Sequence, residues 1–325
     1  MDNQKLVDEA IKILSQEDVK CIIGYSKDSN GFRVSPLFVR NKGDAEKLFF
    51  SPLCSMSLIN YLTLEKGNFL RENKDAQGEK IAIMARGCDS RALMQLITEK
   101  GIAREEVIIL GVPCRGVIDL KKIEAKFPGV RTCAEVIEDQ DTYRVCFDNE
   151  SHEIPREELL ADHCKYCAFP NPLVHDLLLD EPVEQKPANY ADIEAMEKKE
   201  LDEKQEYWKE KFSQCLRCYA CRNACPLCYC DNCILERLSP SWVNRSVNLP
   251  ENVVFHLARS YHLAGRCAGC GECERVCPAH LPLMLLNRKL EKDIKELFGY
   301  TAGTDSEEKP VFASFNPKDP EDFIL

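Results

Sequence analysis

Apolar positions recur with a helical period over residues 4–16, where Leu6, Ala10, Ile13 and Leu14 share one side. Short apolar runs at 21–25 and 36–39 predict strands flanking the turn-rich stretch 26–31. Residues 49–62 place Cys54 just ahead of a predicted helix. The run KIAIM (80–84) reads as a strand leading into Arg86-Gly87-Cys88-Asp89-Ser90-Arg91 and a helix over 92–100. VIILGV (107–112) reads as another, leading into Pro113-Cys114-Arg115-Gly116 and a short helix. Strand, helix and strand in so few residues is a βαβ unit, which makes the two strands parallel. Cys88 and Cys114 then follow the carboxyl ends of parallel strands, where open α/β sheets place their ligand sites. A strand-like pair at 143–147 and 152–154 precedes Cys164-Lys165-Tyr166-Cys167. Residues 181–213 mix both signs of charge and predict a linker that becomes an exposed helix over 193–212. A further helix is expected over 281–297. The tail that follows carries Phe312, Phe315, Phe323, Ile324 and Leu325, which suit an arm laid on a partner subunit or folded back on its own domain.

One phrase breaks this ordinary pattern. Cys215-x2-Cys218-x2-Cys221-x3-Cys225-Pro226 recurs as Cys267-x2-Cys270-x2-Cys273-x3-Cys277-Pro278. A cubane takes one thiolate per iron, and a tight C-x2-C-x2-C loop wraps three corners without reaching the fourth. This run holds paired [4Fe–4S] clusters, the fourth cysteine of each serving the other's cluster. The spacing therefore assigns Cys215, Cys218, Cys221 and Cys277 to one set, and Cys267, Cys270, Cys273 and Cys225 to the other. Glycines at 265, 269 and 271 suit close approach of backbone N–H groups in the second loop. Zinc also accepts four thiolates, but its motifs give two C-x2-C pairs rather than three cysteines and a Cys-Pro.

The totals narrow the class. The chain has 325 residues and 44% hydrophobic content, room for two domains with an ordinary core. Nineteen cysteines clustered in this way point to metal binding in a reducing compartment rather than to disulfides. The polar N-terminus shows no signal-peptide pattern. No apolar run approaches the ~18 residues of a membrane span. A net charge of −11 without a basic tract argues against nucleic acid. A cytoplasmic protein is expected.

The remaining cysteines suggest more sites. Cys88, Cys114, Cys164 and Cys167 predict a third [4Fe–4S] cluster, the alternative being buried thiols or a redox C-x2-C pair. Cys228, Cys230 and Cys233, in CPLCYCDNC, would need a fourth donor, arithmetically Cys54, for a fourth cluster or a zinc site. Cys21, Cys133 and Cys146 read as core thiols. Arg217, Arg222 and Arg266 lie near ligands and would favour a reduced cluster if they point inward. No dinucleotide fingerprint, phosphate loop or catalytic constellation is present.

With these residues placed, the chain resembles the beta subunits of the cytoplasmic formate dehydrogenases and deazaflavin-reducing hydrogenases of anaerobes. The landmarks are Cys88-Asp89, Cys114 with Gly116, Cys164 with Cys167, CLRCYACRNACPLCYCDNC, CAGCGECERVCPAHLPL and Gly299-Tyr300, in that order. The resemblance implies several [4Fe–4S] clusters and, in many members, a flavin (FAD or FMN). The family's glycine-rich N-terminal segment is missing here, and AFPNPLVHD stands where its flavin-pocket stretch would follow the C-x2-C. The expected fold is an α/β N-terminal domain, with a parallel or mixed sheet and cysteine-bearing loops at strand ends. A small α+β bacterial-ferredoxin-like two-cluster domain is expected to follow it. Expected boundaries are 1–180, a helical linker 181–213, the cluster domain 214–298 and a tail 299–325. The expected role is a non-catalytic electron-transfer subunit of a multisubunit redox complex. It would link a formate dehydrogenase, hydrogenase or heterodisulfide-reductase type of catalytic partner to another carrier. The alternative is a flavin-bearing subunit that reduces or oxidises a soluble carrier such as a deazaflavin, NAD(P) or ferredoxin.

Overall fold

The computed structural model describes residues 2–28, 31–68, 79–130, 135–147, 150–313 and 317. Cys133, Phe315, Phe323, Ile324 and Leu325 lie outside the described residues. The chain divides into two compact units: Met1–Ser90 with Ile102–Ala188, and Arg91–Gly101 with Asn189–Leu325. The division therefore falls inside the helix Gly87–Thr98.

The first unit opens on the helix Asn3–Ile13. Asp2 caps it by accepting from Gln4 N at 2.9 Å, and Leu6, Val7, Ala10 and Ile13 form its buried stripe. Among the described residues the unit contains eight strands: β1 (Val19–Lys27), β2 (Val34–Val39), β3 (Lys80–Ala85), β4 (Val107–Gly111), β5 (Glu135–Glu138), β6 (Thr142–Phe147), β7 (Glu150–Pro155) and β8 (Leu177–Leu178). The main sheet runs β2-β1-β3-β4-β8. β1 pairs with β3, β3 with β4 and β4 with β8 in parallel, and β2 is the antiparallel edge. Ile81 through Ala85 are all buried, as a strand covered on both faces requires, which is why KIAIM lacks polar alternation. β5, β6 and β7 form a separate antiparallel meander. Its inward positions Tyr143, Val145, Phe147 and Ile154 pack with Phe32, Leu53, Ile118, Ile123 and Leu159. Cys21 is a core thiol at 1% exposure, whereas Cys146 is half-buried, with Sγ 3.7 Å from Ser151 Oγ.

The second unit is helical: Ala191–Glu197, Leu201–Ser213, Ala220–Asn223, Leu249–His262, Glu272–Arg275 and Leu283–Phe298. Among the described residues no strand falls in it, so the expected α+β character of the cluster domain is not what the chain adopts. The physical reason is local: its segments outside the cysteine runs lack period-two alternation and carry helix caps instead. Asn248 caps one helix through Glu251 N at 3.1 Å, and Gly299 closes another at φ +68°. The charged segment expected as a linker helix is two helices belonging to this unit. Ile193 and Phe212 are buried, and Arg288 pairs with Asp192 at 2.8 Å. Among the described residues no helix is long and apolar enough to cross a membrane.

Candidate metal centres

The two cysteine runs of the second unit have the same backbone. Arg217 and Tyr219 lie at φ +50° and +60°; Gly269 and Gly271, the matching positions two and four residues past the first cysteine, lie at +71° and +72°. A short helix follows in each case, Ala220–Asn223 and Glu272–Arg275. The left-handed twist turns the backbone N–H two residues on toward the sulfur: Arg217 N donates to Cys215 Sγ at 3.4 Å, and Gly269 N–H to Cys267. Glycine adopts this twist freely, while arginine and tyrosine each bear about 1–2 kcal/mol of strain. Arg217 is held by donation to Glu251 O (2.8 Å) and Asn244 O (2.9 Å), with its guanidinium 4.6 Å from the Phe255 ring.

Cys215, Cys218, Cys221 and Cys277 line one cavity of about 330 Å³, including space open to solvent. The fourth cysteine is the one from the other run. Phe255, Leu281 and Leu283 supply apolar wall, and Leu281 N donates to Cys277 Sγ at 3.4 Å. His256 Nε2 lies 3.2 Å from Cys215 Sγ, and its ring stacks on Phe212 at 5.0 Å. Burial, then the Arg259 and Arg217 cations, push His256 down to about 3, so it is neutral at physiological pH. With its proton on Nε2 the neutral ring can donate to the sulfur.

On the other side, Cys267, Cys273 and Cys225 act electrostatically on one another. Asn287 Nδ2 lies 3.7 Å from Cys273 Sγ, as does Met284 Sδ. Cys270, half-buried, occupies the loop between Cys267 and Cys273. Burial pushes Cys221 and Cys267 up to about 11 and Cys273 well above the usual thiol range. Thiols so placed are protonated at neutral pH, and metal uptake releases those protons. Cys225 moves the other way, to about 6, because the Cys228 thiol donates to it; Cys228 rises in turn. Of its neighbours in CPLCYCDNC, Cys230 is exposed and Cys233 half-buried, packed on the apolar cluster around Phe255.

In the first unit Cys88, Cys114, Cys164 and Cys167 come from three segments. Cys88 opens the helix after β3 and Cys114 follows β4. Cys164 and Cys167 lie on and just past the single-turn helix Asp162–Lys165. Cys167 and Cys114 act electrostatically on Cys88, and Cys164 and Cys167 on Cys114. Two glycines permit this closeness. A Cβ at Gly87 would stand 1.9 Å from Phe169 O, and one at Gly116 (φ +108°) 3.1 Å from Cys164 Cβ. Cys114 N donates to Pro170 O at 2.8 Å, tying two of the segments together. Gly116 N and Phe169 N donate to Cys114 Sγ (3.3 Å) and Cys167 Sγ (3.4 Å), and Val117 N–H to Cys164. Burial pushes Cys114 up to about 12.

A charged hub underlies this site. Arg86, 3% exposed, pairs through Nε with Asp89 at 2.7 Å and donates to Cys54 O, Ser55 O and Met56 O. Asp89, fully buried, also accepts from Ser57 Oγ at 2.6 Å. Burial works against the Arg86 charge, but Asp89 and further negative groups including the Cys88 sulfur outweigh it, and the guanidinium stays firmly protonated. Cys54 is fully buried in its own loop, with Ser51 N donating to Sγ at 3.4 Å and burial pushing the thiol up to about 12.

The donor sets fit iron–sulfur clusters in three respects. Each offers four thiols, at least two of them with an N–H aimed at sulfur. Each site also leaves buried polar atoms without a protein partner: Tyr143 Oη in the first unit, whose neighbours include Cys164 and Cys114, and Arg259 Nε and Asn287 Oδ1 in the second. Among the described residues, no three His, Cys, Asp or Glu side chains converge to hold a single ion. A tetrahedral zinc site, with Zn–S about 2.3 Å, needs sulfurs roughly 3.8 Å apart. A cubane offers four separate irons, one to each thiolate.

Several residues at these sites escaped the sequence reading. His256, Arg259 and Asn252 lie on Leu249–His262, a helix the apolar pattern did not reveal. The usable signal was their polar spacing, Asn-x3-His-x2-Arg, on one helical face. Arg86 and Asp89 were visible as an i, i+3 charge pair directly after an apolar strand. Of the arginines singled out, Arg222 pairs with Glu236 (3.5 Å) and Arg266 with Glu99 (2.5 Å), so both charges are matched by carboxylates.

Residues 214–282 match the model of the 4Fe-4S dicluster domain family. The F420-dependent formate dehydrogenase subunit beta of Methanocaldococcus jannaschii is 24% identical, across 95% of this chain and 91% of that protein. The F420-dependent formate dehydrogenase 1 subunit beta of Methanococcus maripaludis is 23% identical, across 94% and 92%. A chain of the F420-reducing [NiFe] hydrogenase complex from Methanosarcina barkeri gives a TM-score of 0.41 at 12% identity, covering 52% of this chain and 64% of that one, a likeness too slight to build on.

Proposed function

We propose that the chain, which carries a 4Fe–4S dicluster domain in its second unit, is an iron–sulfur subunit of the formate dehydrogenase beta type that relays single electrons within an F420-linked formate dehydrogenase complex. The observation that carries this is the cavity shared by Cys215, Cys218, Cys221 and Cys277, where one run is completed by the last cysteine of the other. A [4Fe–4S] cluster held by each crossed set supplies a one-electron couple.

The chain's own residues do the rest. Thiolates of Cys267, Cys270, Cys273 and Cys225 form the second cage, and Cys88, Cys114, Cys164 and Cys167 a third in the first unit. Backbone N–H groups of Arg217, Leu281, Gly116 and Phe169 place partial positive charge on the sulfurs, which favours the more negative state. Phe255, Leu281 and Leu283 exclude water around Cys215 and strengthen that effect. Cys228 serves as a thiol donor to Cys225. A catalytic subunit stands on one side of the relay and a second carrier on the other.

Anaerobically prepared protein tests this. The expected result is about twelve irons per chain with matching sulfide, and reduced-state EPR signals from three clusters. Zinc in place of iron in the crossed cages would overturn the reading. Flavin at stoichiometric amounts in the same extract would instead make the chain a subunit that itself reduces the carrier.

A further inference from the structure

Helix Leu249–His262 is built inside out. Its buried stripe is Asn252, Phe255, His256, Arg259 and Ser260, while Val254, Leu257 and Tyr261 face outward at 48%, 39% and 65% exposure. A stripe with this spacing is normally apolar. Asn252 is spent on structure, donating to Phe212 O (3.0 Å) and Cys215 O (3.1 Å), and His256 approaches Cys215 Sγ.

Arg259 is harder to account for. It is 2% exposed, and Nη2 donates to Cys221 O at 2.9 Å. Nε has no partner, and among the described residues no carboxylate pairs with it. A buried guanidinium left unmatched costs several kcal/mol. The negative groups that act electrostatically on it include sulfurs from both runs: Cys225 and Cys273 of one crossed set, Cys221 of the other, and Cys228. Among the described residues Arg217 is also buried without a carboxylate, bonded to two carbonyls and packed on Phe255, but the sulfur it acts on, Cys215, belongs to one crossed set, whereas Arg259 acts on sulfurs of both.

We propose that Arg259 is the shared counter-charge of both crossed cages, favouring the reduced state of each and so raising both midpoint potentials together. The inference rests on the iron–sulfur reading above. Reduction brings one electron from a redox partner to each cluster and moves no atoms, so each cage gains one negative charge. A single fixed cation bonded to the Cys221 loop and coupled electrostatically to sulfurs of both cages stabilises both gains. It also offsets part of the repulsion between two reduced neighbours.

The test is an EPR-monitored redox titration of the full chain, prepared anaerobically, with iron and sulfide measured on the same samples. R259Q is expected to load iron like the parent. At a given potential the reduced-to-oxidised ratio of both dicluster signals should fall about tenfold, ~59 mV for a one-electron couple. R259K keeps the charge and loses the planar fork, and both ratios should stay within about threefold of the parent. A loaded R259Q with one or neither potential shifted overturns the proposal. So does a loaded R259K with both ratios down tenfold, since the effect would then belong to the bond to Cys221 O. Should R259Q fail to load, R259K decides alone; failure of both beside a loaded parent makes Arg259 a purely structural residue and also overturns it. A parent protein without iron would sink the functional reading instead.

Discussion

The cysteine site of the first unit and the paired runs of the second gather thiols by different means. In the second unit three donors of each set sit on one short loop, whose left-handed residues aim its own N–H groups at sulfur, and only the fourth arrives from elsewhere. In the first unit the donors come from three segments, and the local N–H bonds to Cys114 and Cys167 do not bring those segments together. The Arg86–Asp89 pair, the bare Cα atoms of Gly87 and Gly116, and the Cys114 N to Pro170 O bond hold them instead. One cage is written into consecutive residues; the other exists only once the sheet has formed. The first-unit site should therefore fail whenever the fold beneath it loosens, and the dicluster cages should tolerate a good deal.

The largest expected effect comes from Asp89→Ala, which strands a buried guanidinium and should cost about 3–5 kcal/mol. Denaturant unfolding with iron analysis checks it. The variant should lose the iron of the first-unit site while the dicluster iron remains, and proportional loss from all sites would erase the distinction drawn here. Gly269→Ala should do much less. Its Cβ would meet only Arg91 Nη1 at 3.6 Å, an ordinary contact, so the cost is the strain of a positive φ, about 1–2 kcal/mol. Iron content should match the parent while the unfolding midpoint drops slightly. Loss of dicluster iron would mean the loop needs glycine for room rather than for backbone freedom.

The same contrast governs what could be read from the sequence. The repeated run displays its chemistry in order, and Cys215, Cys218, Cys221 and Cys277 line one cavity. Strands β3 and β4 were visible because doubly covered parallel strands are continuously apolar, and they carry Cys88 and Cys114 to the same end of the sheet. Helix Leu249–His262 was not, because its inner face is polar and its outer face apolar, the reverse of the pattern that reveals a surface helix. His256 and Arg259 were hidden with it. Nor does any local feature announce that Arg91–Gly101 belongs to the second unit. Arg91 reads as an ordinary helical residue until its bonds to Ala302 O (2.9 Å) and Glu291 (3.2 Å) are seen. A sequence states short-range chemistry plainly; a contact two hundred residues away leaves no periodic trace.

The crossing of the two runs remains the claim on which the relay depends, and Cys277→Ala tests it most directly. Reduced samples of this variant, of Cys218→Ala and of Cys270→Ala, prepared side by side, should fall into two spectral classes by EPR. The account predicts that the Cys277→Ala spectrum coincides with that of Cys218→Ala, because the same cluster is damaged. A Cys277→Ala spectrum that coincides with that of Cys270→Ala would show each run closing on itself, and would contradict it.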